Sequence, residues 1–355
     1  MPEFLRHILS KIVYANSLRG NSTDATTFGA NPPYEALMDL TELKGCGTAL
    51  VTPFQPDRSV DENALRRLIQ AQIAGNIDFL VPCGTTGESP VLTMKEHLRV
   101  VEITLEETHR QVPVLAGAGG NNTAHVREQI EYLERLGVDG ILSVSPYYNK
   151  PTQEGIYQHY LALAESTSLP ILVYNVPGRT GSNVEPKTLA RLSAIPNILG
   201  VKEASGNVAQ AEEIFKLVPE RFRVFSGDDA LTLPLMALGG CGVVSVVSNV
   251  VPQEMTELTS LCWAGNYPEG RQLHRRLEPL MQVLFIETNP IPVKAALAAM
   301  GLIHPIYRLP LVPLHPENLA KVEKVLLDLG LLGVSSEPGV YRAAKEKEYV
   351  AGGAN

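Results

Sequence analysis

One residue suited to covalent chemistry is Lys202, which lies in VKEASGN (201–207) directly after an apolar run. Burial disfavours a charged ammonium and lowers the pKa of a lysine, and a neutral amine attacks carbonyl groups. Taken alone, however, such a lysine is more often a solvated or paired charge at a strand end, because lysines are seldom buried without a partner.

Tyr174 and Arg179 occur together in YNVPGRTG (174–181). A phenol near an imine can move protons, and a guanidinium can hold a carboxylate through two hydrogen bonds. In isolation, a core tyrosine with a hydrogen-bonded hydroxyl and a solvated loop arginine are the more common interpretations.

The motif GTTGES (84–89) predicts a tight polar loop. The backbone amides and hydroxyls of Thr85, Thr86 and Gly87 suit a carboxylate anion, although an ordinary glycine turn has the same pattern. Glu88 either joins the hydrogen bonding inside the loop or faces solvent.

Two adjacent tyrosines, Tyr147 and Tyr148, lie in SPYYNKP (145–151). One of them can face a site while the other points elsewhere. Both can equally be exposed loop aromatics that serve a contact between subunits.

From Gly45 onward, apolar runs rich in Val, Ile and Leu alternate with longer amphipathic segments. Continuous apolar character indicates strands buried on both faces, as in a parallel sheet. The runs cover 47–54, 78–84, 112–119, 140–146, 170–177, 198–205, 223–229 and 241–249. Eight strands alternating with helices predict a closed (β/α)₈ TIM barrel, with an open doubly wound sheet as the alternative. The first run is not followed by GxGxxG, which weakens a dinucleotide-binding interpretation.

Helices are expected between these runs and after them. Segments with apolar residues three and four apart cover 62–75, 94–110, 123–137 and 207–218. Asp61, Thr93 and Asn122 occupy N-cap positions, and Gly75 and Gly137 occupy positions where helices end. Four more helices are expected at 252–264, 268–286, 290–301 and 315–330, of which one completes the barrel and the others form a C-terminal appendage.

The chain therefore divides into four predicted regions. Residues 1–40 form a poorly ordered N-terminal extension, 41–265 the barrel, 266–332 a C-terminal helical region and 333–355 a loose tail. The N-terminal segment does not have the pattern of a signal peptide.

Composition excludes several classes of protein. The 355 residues carry a net charge of −8, which argues against a general nucleic-acid binder. An uninterrupted apolar run long enough to span a membrane is absent from the sequence. The four cysteines lack metal-ligand spacing and are interpreted as buried thiols of a cytoplasmic protein. We expect neither a metal nor an organic cofactor.

Because active sites of such barrels lie at the carboxyl ends of the strands, the polar motifs should converge at one end. The last predicted strands contribute VKEASGN (201–207) and SGDD (226–229) to that end. This convergence from different strands indicates a site more strongly than any single motif does.

Taken together, GTTGES, SPYYNKP, YNVPGRTG, GVKEASG and SGDD resemble the dihydrodipicolinate synthase family over about residues 44–330. This family is the lysine-biosynthetic branch of the pyruvate-dependent class I aldolases. The resemblance implies a lyase of the diaminopimelate route that condenses pyruvate with L-aspartate 4-semialdehyde to 4-hydroxy-tetrahydrodipicolinate. It implies a covalent imine with pyruvate in place of a cofactor.

The resemblance also assigns roles to residues of this chain. Lys202 forms the imine, while Thr85, Tyr174 and Tyr148 make a proton relay to which a neighbouring subunit supplies Tyr148. The positions expected to contact substrate are Thr86 at the pyruvate carboxylate, Arg179 at the semialdehyde carboxylate, and Gly227 and Val244 near the imine. A homotetramer built as a dimer of dimers is implied.

One departure from the family pattern concerns feedback inhibition by lysine. The matching positions are Ser89, Pro90, Met94, His97, Asn121, His125 and Tyr147. His125 replaces the acidic residue that would bind the lysine ammonium, and Met94 replaces a ring. We therefore expect lysine inhibition to be weak or absent.

Two other functions remain open at this point. Sibling aldolases that act on sugar acids, sialic acid or 4-hydroxy-2-oxoglutarate share the lysine and tyrosine, but typically lack GRTG after YNVP. A barrel that only binds a ligand would be expected to lose Lys202, Tyr174 or GTTG, and all three are present.

Overall fold

Eight parallel strands form the centre of the molecule in the computed structural model, which describes residues 38–334 and 341–342. The strands are β1 (Gly45–Ala49), β2 (Phe79–Val81), β3 (Leu115–Gly117), β4 (Gly140–Val144), β5 (Ile171–Asn175), β6 (Ile198–Glu203), β7 (Arg223–Ser226) and β8 (Gly242–Ser245). They pair in the order β2-β1-β8-β7-β6-β5-β4-β3. A parallel bridge from Leu80 to Val114 joins β2 to the residue before β3 and brings the two ends together. The predicted barrel is confirmed.

Twelve helices surround and extend this barrel within the described residues. They are α1 (Glu62–Ala74), α2 (Met94–Thr108), α3 (Thr123–Leu136), α4 (Gln153–Ala164), α5 (Pro177–Thr180), α6 (Pro186–Leu192), α7 (Val208–Leu217), α8 (Thr232–Ala237), α9 (Pro252–Trp263), α10 (Tyr267–Val283), α11 (Ile291–Ala299) and α12 (Pro316–Asp328). Helix α9 packs on α1 and β1 and so completes the outer ring, while α10 to α12 pack on one another as the C-terminal region.

The predicted helix boundaries follow from local capping. The side chains of Asp61, Thr93 and Asn122 accept hydrogen bonds from backbone N–H groups in the first turns of α1, α2 and α3. Thr93 also forms a capping box with Glu96. Gly137 ends α3 in the left-handed conformation, where glycine has no Cβ to clash.

The alternation of side chains along the strands creates two cores. One set packs between strands and helices. The other fills the barrel interior and includes Phe79, Leu142, Leu172 and Phe225. Leu40 and Leu43, which precede β1, also belong to the interior set.

Two parts of the chain lie largely outside the described residues. The predicted extension 1–40 is described only from residue 38, and the predicted tail 333–355 only at two short paired strands, β9 (Gly333–Val334) and β10 (Tyr341–Arg342).

Candidate active site

Lys202 points into the barrel near the carboxyl end of β6. It lies in register with Tyr174 on β5 and Phe225 on β7, and both of those side chains belong to the interior core. Neighbouring residues in register on parallel strands share a face, so Lys202 faces inward with them. Only 5% of Lys202 is exposed.

The surroundings of Lys202 favour its neutral amine. Burial lowers its pKa to about 8, and the positive charge of Arg179 acts in the same direction, while Asp229 opposes the shift. A lysine in water has a pKa near 10.4. The ammonium therefore loses its proton much more readily here than in solvent, which is the condition for nucleophilic attack on a carbonyl.

Formation of a pyruvate adduct is expected to accelerate as the pH rises to about 8, the pKa of Lys202, and to level off above it. Below this pH the protonated amine dominates and has no lone pair for attack. The measurement is a brief exposure to pyruvate at each pH, a borohydride quench and intact-mass analysis. An adduct yield with no inflection in that range would contradict the assignment.

Tyr174 lies beside the amine, with its ring centroid 4.2 Å from Lys202 Nζ. Its hydroxyl is hydrogen-bonded to the side chain of Thr85, at the end of β2. Burial raises the pKa of Tyr174, whereas the Arg179 charge and the Thr85 hydrogen bond act against that rise. The phenol is thus protonated at neutral pH and can pass a proton through Thr85.

Arg179 lies at the entrance of the site on the short helix α5, which follows β5 directly. It is exposed, and its guanidinium donates a hydrogen bond of 3.1 Å to the backbone oxygen of Asn289. This contact fixes one edge of the guanidinium and leaves its other donors free for a carboxylate.

A cavity of about 300 Å³ connects these groups to solvent. Thr85, Tyr174 and Arg179 line it, and Tyr147 contributes to its rim. Lys202 does not line this cavity, but its Nζ lies 4.2 Å from the ring centroid of Tyr174, which does. The volume suits a small polar metabolite.

Gly227, at the end of β7, leaves space for the lysine. A Cβ placed on Gly227 would lie 3.1 Å from Cε of Lys202 and 2.6 Å from Cβ of Ala204. Val244 on β8 is buried in the interior core with Tyr174. Gly227 therefore lies close to the lysine side chain, and Val244 shares the interior core with Tyr174.

Thr86 is buried behind the site, and its Oγ1 accepts a hydrogen bond of 3.0 Å from Asn289 Nδ2. The carbonyl of Gly87 accepts a hydrogen bond from Thr52. The polar loop is therefore held from two sides of the barrel.

Tyr148, another predicted catalytic residue, does not line the cavity of its own chain. It is 86% exposed and adopts a left-handed backbone conformation with φ of 71°. Its backbone N–H donates to Thr180.

Three polar residues near the site were not predicted from sequence. Asn289 contacts both Thr86 and Arg179, and Lys294 forms a buried ion pair with Glu88. The side chain of Glu88 does not face solvent, since its partner lies on the distant helix α11, while its backbone N–H takes part in the hydrogen bonding inside the loop. Asp229 is buried and accepts hydrogen bonds from Ser245 and two backbone N–H groups; only its place in SGDD could have indicated it.

A second cavity of about 410 Å³ lies beyond Tyr147. Four of the positions predicted for lysine inhibition line it, namely Met94, Asn121, His125 and Tyr147, as does Glu128. His97 is buried, whereas Ser89 and Pro90 line the first cavity.

Two properties of the described residues bear on other functions. Between 38 and 334 and at 341–342, His, Cys, Asp and Glu side chains nowhere form a group that could hold a metal ion. Over the same residues, every helix is too short or too polar to cross a membrane.

The fold and site define a class of enzyme: a (β/α)₈ barrel with a buried amine at the end of its sixth strand, beside a tyrosine and below an arginine. The chain belongs to the dihydrodipicolinate synthetase family, whose sequence model matches residues 42–329.

Individual relatives agree with this assignment. The 4-hydroxy-tetrahydrodipicolinate synthase of Koribacter versatilis is 53% identical over 292 residues, covering 82% of this chain and 97% of the relative. The structure of dihydrodipicolinate synthase from Thermotoga maritima superposes with a TM-score of 0.80 at 46% identity, covering 81% and 99%. That of the chloride-inhibited enzyme from Acinetobacter baumannii, complexed with pyruvate, has a TM-score of 0.80 at 40% identity, covering 81% and 99%. The predicted family, lyase class and synthase activity are confirmed.

Proposed function

We propose that this chain condenses pyruvate with L-aspartate 4-semialdehyde through an imine on Lys202 and yields 4-hydroxy-tetrahydrodipicolinate. The observation that carries the proposal is the buried Lys202 amine, with its pKa lowered to about 8, at 4.2 Å from the Tyr174 ring. The pyruvate complex of the Acinetobacter baumannii relative supports the first substrate.

The reaction begins when the neutral Lys202 amine adds to the ketone carbon of pyruvate and water leaves, giving an imine. The imine draws electrons from the neighbouring methyl group, which loses a proton and becomes the carbon of an enamine. That carbon attacks the aldehyde of the second substrate, and the new alkoxide takes up a proton. The amino group of the second substrate then displaces Lys202 from the imine carbon and closes the ring.

We assign the proton transfers to Tyr174 and Thr85. Their hydrogen bond connects the lysine side of the site to the cavity that Thr85 lines. A protonated phenol supplies a proton to the departing hydroxyl or the alkoxide and recovers it through the threonine. We assign the third relay position to Tyr148 of a neighbouring subunit, since its side chain is exposed and does not line the cavity of its own chain.

The substrate carboxylates are assigned to two places. The Thr86 hydroxyl accepts a hydrogen bond from Asn289 and keeps its own proton for a pyruvate carboxylate oxygen. Arg179, at the entrance, binds the carboxylate of the semialdehyde. Gly227 and Val244 complete the wall around the imine. We propose no cofactor, because the imine itself withdraws the electrons that the reaction needs.

Replacing Arg179 with alanine is expected to raise the KM for aspartate semialdehyde about 10- to 100-fold, since a hydrogen bond to a charged group contributes about 1.5–3 kcal/mol. The KM for pyruvate should change much less. A coupled assay that varies each substrate in turn measures both values.

Arg191→Ala is the matched control, because Arg191 is exposed on α6 and pairs with Glu154 away from the cavity. Sugar acids, sialic acid and 4-hydroxy-2-oxoglutarate are assayed alongside. Cleavage of one of these faster than semialdehyde condensation would favour the sibling aldolases and overturn the assigned substrate.

We further propose that the protein works in the cytoplasm as a dimer of dimers. The four cysteines are buried and unpaired, which suits a reducing compartment. A shared Tyr148 requires at least an isologous dimer.

Lysine is expected to inhibit weakly or not at all. Binding of the lysine ammonium in the second cavity would need an acidic residue and an aromatic ring, but His125 and Met94 occupy those positions. A carboxylate is available one helical turn from His125, at Glu128. A titration with lysine in the coupled assay measures the effect. Sub-millimolar inhibition that disappears in Glu128→Gln would contradict this expectation and identify the residue responsible.

A further inference from the structure

The polar loop that carries Thr85 and Thr86 has a strained backbone. Cys83 before it and Glu88 within it adopt left-handed conformations with φ of 57° and 55°. Non-glycine residues keep such conformations where the surrounding structure holds them in place. The backbone N–H of Glu88 donates to the carbonyl of Thr85 at 3.1 Å, so the two residues move together.

The contact that holds Glu88 comes from helix α11, more than two hundred positions away in the chain. Lys294 Nζ donates to Glu88 Oε1, and both side chains are almost completely buried. The ammonium lies 4.3 Å from the centroid of Phe54 and 5.2 Å from that of Tyr307. The carboxylate of Glu88 therefore has one fixed position, set by a cation enclosed between two rings.

The segment before α11 holds the same loop from a second point. Asn289 donates to Thr86 Oγ1 and accepts from Arg179 through its backbone oxygen. The C-terminal region thus contacts both groups that we assign to substrate carboxylates.

A buried ion pair adds little net stability compared with apolar residues of similar size, because both charges lose their hydration. Its position at the base of the catalytic loop indicates another role. We propose that Glu88 and Lys294 are positioning residues that fix Thr85 in hydrogen-bonding contact with Tyr174. This inference rests on the proposed function, in which Thr85 and Tyr174 move protons.

The first test is a double-mutant cycle between Glu88→Gln and Thr85→Val in the full chain. Glu88→Gln keeps the size of the side chain and removes its charge. It should lower kcat about 10- to 100-fold, since small displacements of catalytic groups have effects of this order. In the Thr85→Val background, Glu88→Gln should leave kcat almost unchanged, because the hydroxyl that Glu88 positions is already absent.

Borohydride trapping of pyruvate separates this inference from the proposed function. The parent protein and Glu88→Gln should both form the Lys202 adduct, since Lys202 is untouched. A parent protein that forms no adduct with pyruvate would contradict the proposed function. If the parent forms the adduct, either of two results would overturn only the positioning role. One is a Glu88→Gln variant with the kcat of the parent. The other is a double variant in which the reductions in kcat of the two single variants multiply.

The second test compares Lys294→Met with Glu88→Gln/Lys294→Met. The single variant leaves an unpaired buried carboxylate, and the double variant removes both charges, so the double variant should melt at the higher temperature. Its kcat should nevertheless stay low. If the double variant recovers both the melting temperature and the kcat of the parent, the ion pair has only a structural role.

Glu96→Gln is the matched control. Glu96 also pairs with a cation of the C-terminal region, Arg308, but it lies at the start of α2 and not in the catalytic loop. This variant is expected to melt earlier and to keep the kcat of the parent. An equal loss of kcat in Glu96→Gln would contradict a specific role for Glu88.

Discussion

Lys202→Ala is expected to lower kcat for the condensation by about 10⁴-fold or more, because the nucleophile of each turnover is removed. The buried amine lies at the end of β6 beside Tyr174, and the described residues that line the adjoining cavity include no lysine that could replace it. The same variant should form no borohydride-stable adduct with pyruvate. The coupled assay and intact-mass analysis measure the two effects.

Lys202→Arg is the matched control, since it keeps a cation of similar length at the same strand position. A guanidinium stays protonated at all working pH values and has no lone pair for attack. Both variants should be inactive while they melt near the parent temperature. Turnover by either at a rate comparable to that of the parent would rule out Lys202 as the nucleophile.

Tyr174→Phe is expected to lower kcat about 10²- to 10⁴-fold, the usual contribution of a general acid or base. The ring and its contact with Lys202 are kept, and the hydroxyl bonded to Thr85 is lost. The pyruvate adduct should still form, more slowly. Rapid mixing with pyruvate followed by borohydride quenching measures adduct formation separately from steady-state turnover.

Tyr160→Phe provides the control for this change. Tyr160 is also fully buried and does not line the cavity. Its hydroxyl bonds to backbone groups, the oxygen of Ser143 at 2.9 Å and the backbone of Tyr174, and not to the Tyr174 hydroxyl. Losing the hydrogen bond to Ser143 should lower the free energy of unfolding by about 1 kcal/mol and leave kcat unchanged. Equal kcat values for the two variants would argue against a proton relay through Tyr174.

The barrel could be predicted because each strand is a local feature. Continuous runs of Val, Ile and Leu indicate burial on both faces. Seven of the eight runs contain a whole strand, and the first overlaps β1, which begins two residues earlier at Gly45. The runs overestimate strand length where the chain turns. The run 78–84 keeps its apolar character through Cys83, yet β2 ends at Val81 because Cys83 is left-handed.

The convergence of the proposed catalytic groups was predictable for a topological reason. Parallel strands deliver their carboxyl ends to one face, so Thr85, Tyr174, Arg179 and Lys202 converge even though they are far apart in sequence. Burial of Lys202 then lowers its pKa. Neither the convergence of the strand ends nor the burial of Lys202 requires knowledge of pairings between distant side chains.

The supporting contacts could not be predicted in this way. Glu88 pairs with Lys294, and Thr86 with Asn289, between the second strand end and a C-terminal region that follows no barrel repeat. The pattern of residues around Lys294 (PVKAALAA) is that of an ordinary apolar helix. Only its packing across the loop makes its ammonium a partner for Glu88.

The central claim is that Lys202 forms an imine with pyruvate, and one measurement tests it most directly. The parent protein is incubated with pyruvate, reduced with borohydride, digested and analysed by mass spectrometry. We predict that the peptide containing Lys202 gains the mass of one carboxyethyl group and that all other lysine-containing peptides keep theirs. An unmodified Lys202, or an adduct on another lysine, would contradict the account.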